Sequence, residues 1–204
     1  MYPKSIQNLI EEFSKFPGIG PRQAARFVFH LLKNDSSNTD NLIQSLKNLH
    51  QNVITCQLCF RAAEADQKNK HICSICSSES RDPRFIAVVE KDADLVSLEK
   101  AKNYSGLYHV LGGTVSMLEP EAPQKFHLKE LFLRIKNSPS NRAIKEIILA
   151  LSPTPQGELS AQYIERVLRP LNVKISRLGR GLPTGADLEY ADEATLKSAW
   201  EGRK

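Results

Sequence analysis

Four cysteines stand in two pairs, Cys56-x2-Cys59 and Cys73-x2-Cys76, and they are all the cysteines in the chain. A two-residue gap lets both thiolates of a pair face one point, and two such pairs complete a tetrahedral four-sulfur shell. The alternatives are two disulfides, free thiols or an iron–sulfur cluster, which also takes four cysteines. The hairpin-like spacing favours one structural zinc ion, Zn2+. With all four positions filled by protein, no place remains for a reactive water, which disfavours a catalytic metal. His71, two residues before Cys73, reads as a bystander. Residues 55–80 hold too few apolar side chains to fold alone, so the metal is expected to hold them together.

The compartment supports the same reading. The longest apolar runs, Phe85 to Val89 and Ile147 to Leu151, fall far short of the roughly 20 residues needed for a membrane span. Met1-Tyr2-Pro3-Lys4 opens no signal-peptide stretch. A cytoplasmic address is expected, and disulfides do not persist there. Of 204 residues, 41% are hydrophobic and 25% charged, which is ordinary for a globular chain and excludes fibrous and disordered classes. The net charge of +5 is a mild lean towards anionic partners. Charge is not sorted by region, so any anion-binding surface must come from local placement.

Periodicity divides the rest. Ile6, Leu9, Ile10 and Phe13 recur at helical spacing, with Ser5 as the expected N-cap. A second helix follows through Ala24, Ala25, Phe27, Val28, Leu31 and Leu32, with Pro21 in its first turn. Asn34 to Asn41 reads as a polar loop, and Leu42, Ile43, Leu46, Leu49 and Val53 as a third helix. Ala65 to Lys70 reads as a hairpin turn between the cysteine pairs. Beyond residue 81, strands alternate with helices: Phe85–Val89, a helix over Leu95, Leu98 and Ala101, Leu107–Leu111, a helix through Leu128 to Ile135, Ile147–Leu151, a helix through Ala161 to Leu168, and Val173–Ile175. That alternation argues for a parallel sheet with flanking helices. Leu178 to Gly185 reads as a loop, and Leu188 onward as a closing strand and helix.

Two local strings carry chemistry. Between the first two helices lies Phe16-Pro17-Gly18-Ile19-Gly20-Pro21-Arg22. Its glycines permit a tight turn and a close backbone approach. The next helix then presents free N–H groups to an anion, flanked by Arg22 and Arg26 one turn apart. The string resembles a helix-hairpin-helix, which grips a DNA backbone through Gly18, Ile19 and Gly20 without reading sequence. The plain alternative is a helix–helix turn with surface arginines. The second string is Glu90, directly after the first buried strand, with Asp94 nearby and Ser152-Pro-Thr-Pro-Gln-Gly-Glu158 after a later strand. This resembles a Toprim domain, the fold of topoisomerases and primases. Active members carry Asp-x-Asp where this chain has Ser152 and Thr154, and a glutamate where it has Gln156. Glu90 and Glu158 alone make a poor cage for magnesium. The bland reading of Glu90 is a loop or helix-start carboxylate near the N-terminus of the Asp92–Ala101 helix, where negative charge is stabilised.

The order helix-hairpin-helix, four-cysteine site, degenerate Toprim is similar to that of the bacterial RecR family of recombination mediators. Ala87-Val-Val-Glu90, Tyr108-His-Val-Leu-Gly-Gly113 and Gly179-Arg-Gly-Leu-Pro-Thr-Gly185 also match. The chain departs from the family at Leu118 to Gln124 and in the Ser152 loop. The resemblance implies a multidomain α+β and α/β fold. Residues 1–54 form the helix-hairpin-helix region, 55–80 a four-cysteine zinc finger, 81–178 a Toprim sheet with flanking helices, and 179–204 a C-terminal segment likened to a Walker B motif. It further implies a non-enzymatic, nucleoid-associated DNA-binding protein that self-associates as a dimer or tetramer into a clamp. Such proteins act with RecO and RecF to load RecA onto single-stranded DNA. On this carry-over Arg22 and Arg26 contact DNA, and Glu90, Asp94 and Glu158 belong to a partner surface or to the scaffold. The competing readings are a Toprim-type metal-dependent nuclease or primase-like enzyme, and a pure protein-interaction module.

Overall fold

The structure, a computed structural model, describes residues 2–64, 71–114, 126–140 and 143–203. The expected turn at 65–70 and the divergent stretch 118–124 lie outside them. The chain divides into two compact units, residues 1–53 and 54–204.

The first unit comprises α1 (Lys4–Ser14), α2 (Pro21–Lys33) and α3 (Ser36–Asn52). In α2, Ala24 and Val28 are one turn apart and buried. Phe13 of α1 meets Phe27 edge-to-face at 5.9 Å and Phe16 at 6.3 Å. The turn between them closes where Ile19 N–H donates to the Phe16 carbonyl at 3.1 Å. Gly18 there adopts φ +78°, a left-handed conformation that glycine takes without steric cost. Three sequence expectations are corrected. The N-cap of α1 is Pro3, with no side-chain cap, rather than Ser5. The polar run from Ser36 is helical, not loop: the Asp35 carbonyl accepts from Asn38 N–H at 3.0 Å. Polarity misleads there because α3 buries none of its residues, so its first turn needs no apolar face. Val53 leaves the helix for extended backbone, as a β-branched residue readily does.

The second unit is built on a parallel sheet of order β4-β3-β5-β6. Strand β3 (Asp82–Val89) lies between β4 (Gly106–Val110) and β5 (Glu146–Leu149), and β6 (Lys174–Arg177) is added to β5. Ile86 to Val89 are all buried, because a parallel strand covered on both faces has no polar side. Alternation then sorts them. Ile86 and Val88 join Ile147 and Leu149 under α6 (Leu128–Lys136) and α7 (Pro155–Leu168). Ala87 and Val89 face the other way, towards Leu95 of α5 (Asp92–Ala101) and the cysteines. The cysteine segment consists of the short pair β1 (Val53–Thr55) and β2 (Ala62–Glu64) and one turn of helix, α4 (Ser74–Ser77). The strand expected after Leu188 is instead a 3-10 turn, Leu188–Tyr190, followed by α8 (Glu193–Glu201). Asp192 caps α8 by accepting from Thr195 N–H at 2.9 Å, so the chain passes from the turn straight into helix. No helix is long and apolar enough to cross a membrane among the described residues.

His109 on β4 is fully buried. Its Nε2 bonds the His127 carbonyl at 2.7 Å. Burial pushes its pKa down to about 3, so it serves as a neutral packing residue.

Gly157, in the first turn of α7, is the tightest glycine with respect to backbone. A Cβ there would stand 1.9 Å from the Ser152 carbonyl oxygen. At Gly20 nothing lies within 4 Å of an added Cβ, and its φ of −84° suits any residue. Gly157→Ala is therefore expected to lower the unfolding free energy by about 3 kcal/mol, an overpacking cost. Gly20→Ala, which only weakens an N-cap, should change it by under about 1 kcal/mol. Denaturant midpoints of the two variants check the contrast, and equal midpoints would contradict it.

Candidate functional site

The cysteine cluster is the most defined site. The four sulfurs of Cys56, Cys59, Cys73 and Cys76 all lie within 4.8 Å of one another, and Cys59 Sγ is 3.6 Å from Cys73 Sγ. A tetrahedron with metal–sulfur bonds of about 2.3 Å sets its sulfurs about 3.8 Å apart. The donor set thus fits a single ion, and it is too contracted for a multi-iron cluster. Backbone turns hold each pair. The Cys56 carbonyl accepts from Phe60 N–H at 2.9 Å, and the Cys73 carbonyl from Ser77 N–H at 3.0 Å. Phe60, just after the first pair, takes φ +62°, which turns the chain sharply behind Cys59. Cys73 N–H points at Cys56 Sγ at 3.3 Å, a donor that favours a thiolate there. His71 takes no part in the cluster with its side chain, and its carbonyl accepts from Gln57 N–H at 2.9 Å.

Three contacts fasten this cluster to the sheet. Val110 N–H on β4 donates to the Cys59 carbonyl at 2.8 Å. Arg134 on α6 bridges the carbonyls of Leu58 and Tyr108 at 2.9 and 2.8 Å. Asp92, at the start of α5, accepts from Ala62 N–H at 2.9 Å. Cys56, Cys59 and Cys73 share one buried core with Ala87, Val89, Leu95 and Tyr108. Sequence reading misses Arg134 and Asp92, since nothing local marks a residue whose partner lies far along the chain.

In the first unit, Gly18, Gly20, Arg22 and Arg26 are exposed and Ile19 is half-buried. The open space around Gly20 lets another molecule's backbone approach closely. The amides that begin α2 and the two arginines lie on this same short stretch.

The acidic positions do not assemble. Glu90 Oε1 accepts from Ser152 N–H at 3.1 Å, which pins the β5–α7 loop to the end of β3. Glu90 is thus the loop carboxylate of the two plain alternatives, bonded to the neighbouring loop rather than to the start of α5. The first turn of α5 carries Asp92 and Asp94, and Asp94 Oδ2 accepts from Lys91 N–H at 3.1 Å. Glu158 is bonded by Arg177 Nη1 at 2.9 Å and by Arg180 Nη2. Those two arginines hold the Glu158 carboxyl below its usual range against an opposing effect of burial. Among the described residues, no second group of three or more His, Cys, Asp and Glu side chains brings ligand atoms together. Sequence reading does not single out Arg177 and Arg180, because no spacing rule pairs them with a residue on α7.

Comparison with known proteins accords with this arrangement. The chain matches the family model described as RecR, helix-hairpin-helix over residues 6–50, the Toprim domain over 84–179, and RecR, C-terminal over 181–204. It is 42% identical to the Recombination protein RecR of Acidothermus cellulolyticus over 204 residues, covering 100% of this chain and 98% of that one. The proteins of the same name from Tropheryma whipplei and Thermobifida fusca are each 41% identical, with the same coverage.

Because three ligands lie in the sheet's own core, Cys59→Ser is expected to do more than empty a surface finger. Elemental analysis should find the bound metal lost. Thermal unfolding should show the transition of the second unit broadened or absent, with helical signal from the first unit retained. Full metal content in the variant would refute the assignment.

Proposed function

The chain belongs to the RecR family of recombination proteins, and from that premise we propose that it acts in recombinational DNA repair as a non-enzymatic, DNA-binding mediator. It assembles with its own copies as a dimer or tetramer into a clamp on DNA. Together with RecO and RecF it helps load RecA onto single-stranded DNA, in the nucleoid region of the cytoplasm. The cysteine cluster holds one structural zinc ion.

The observation that carries the DNA reading is the exposed Gly18-Ile19-Gly20 turn with Arg22 and Arg26 beside it. Phosphate contacts of this kind are indifferent to base sequence and sensitive to salt. Self-association draws support from α3, where Leu42, Ile43, Leu46 and Leu49 are exposed at helical spacing. An apolar stripe of that length on an unburied helix suits another protein surface. The non-enzymatic reading is supported by Ser152 and Thr154 in the loop and by the engagement of Glu90 and Glu158 with protein groups. A partner surface on the Toprim unit includes Asp94, with Glu90 and Glu158 shaping the loops around it.

The test is fluorescence anisotropy of a labelled gapped duplex over a salt series, with Mg2+ or EDTA, followed by a denaturing gel of the probe. Binding is expected to weaken with salt and to leave the probe intact in both. Arg22→Ala should reduce the slope of log affinity against log salt by about 1, with the assembly state by light scattering unchanged. A probe shortened only in Mg2+ would favour the nuclease reading. Equal binding by Arg22→Ala and the parent would remove Arg22 from the DNA contact.

A further inference from the structure

We propose that Arg177 and Arg180 form a second, latent site for a nucleic-acid phosphate, held closed by the carboxylate of Glu158; the inference rests on the DNA-binding reading above. A guanidinium recognises a carboxylate and a phosphate through the same forked donor geometry. Glu158 bridges the two guanidiniums with one bond to each: Arg177 Nη1 reaches one of its oxygens at 2.9 Å and Arg180 Nη2 the other. Arg177 is further tied through Nε to Glu165 at 2.9 Å. Arg177 Nη2 and the remaining donors of Arg180 have no partner among the described residues.

These side chains line a cavity of about 570 Å³ at the carboxyl end of β5 and β6. In an open parallel sheet that is the end where ligands bind. Gly157, Gly179 and Gly181 contribute to the wall, which leaves backbone accessible to an incoming group. Asp192 also lines it, but its oxygens accept from the Thr195 amide and hydroxyl at 2.9 and 2.7 Å. The clasp itself is open to solvent: Glu158, Arg177 and Arg180 are 33%, 32% and 40% exposed. Ion pairs this exposed are weakly held. A phosphodiester carries the same single charge on two non-bridging oxygens, and a nucleic-acid strand presents many of them along its length, so it competes with the lone carboxylate for the two guanidiniums. The displaced Glu158 remains in the first turn of α7, where the helix dipole stabilises its charge.

The experiment compares the full-length, metal-loaded protein with Glu158→Gln in the same anisotropy salt series. Glu146→Gln controls for net charge, since Glu146 pairs with Lys174 at the opposite end of β5. Thermal midpoints check that each variant is folded. Glu158→Gln should bind the duplex about tenfold tighter at moderate salt, with a salt slope steeper by about 1–2, and Glu146→Gln should change affinity less than about twofold. Adding Arg177→Ala and Arg180→Ala to Glu158→Gln should return both quantities to the parent values. If Glu158→Gln gains no more than Glu146→Gln while the parent binds DNA, the latent site is refuted and the first reading stands. If neither parent nor variant binds DNA, both fall.

Discussion

The second unit depends on the burial of its clustered cysteine sulfurs in the core of a parallel sheet. Cys56, Cys59 and Cys73 are packed with Ala87, Val89 and Tyr108, and the Cys59 carbonyl accepts a hydrogen bond from the edge strand. A parallel edge strand such as β4 otherwise presents unpaired backbone groups. Here the cysteine loop and Arg134 cover part of that edge. A metal ion held by these sulfurs would therefore lend its binding free energy to sheet formation as well.

The loop after β5 answers a different demand. In this fold the positions after β3 and β5 converge on one cleft, and in this chain that cleft has become a set of braces. Glu90 holds the Ser152 amide, Gly157 admits the Ser152 carbonyl, and Glu158 ties α7 to the segment beyond β6. Glu90 Oε1 and both oxygens of Glu158 accept from groups of the protein itself. The same geometry that would gather a cation elsewhere fixes three chain segments together here.

Much of this is legible in the sequence because the relevant signals are local. The Cys-x2-Cys pairs declare their cluster through spacing alone, and the apolar run Phe85–Val89 declares a doubly covered strand. The Gly18 turn and Pro21 mark where α2 begins. What is not legible is what depends on distant partners. Arg134, Asp92, Arg177 and Arg180 act on residues far away in the chain, and their neighbours in sequence say nothing of it. The polar start of α3 misleads for a related reason: without a buried face, hydrophobic periodicity has nothing to report.

The shared core also has a history in time. All four cysteines of the cluster have been synthesised once Cys76 is made, whereas the residues that bury them extend to Ala150. A nascent chain emerges from its N-terminus, and whole units fold only when complete. The sulfurs therefore pass through a period in which they are gathered while their eventual covering does not yet exist. An ion bound by them at that stage would be enclosed only later, when the sheet closes over the cluster.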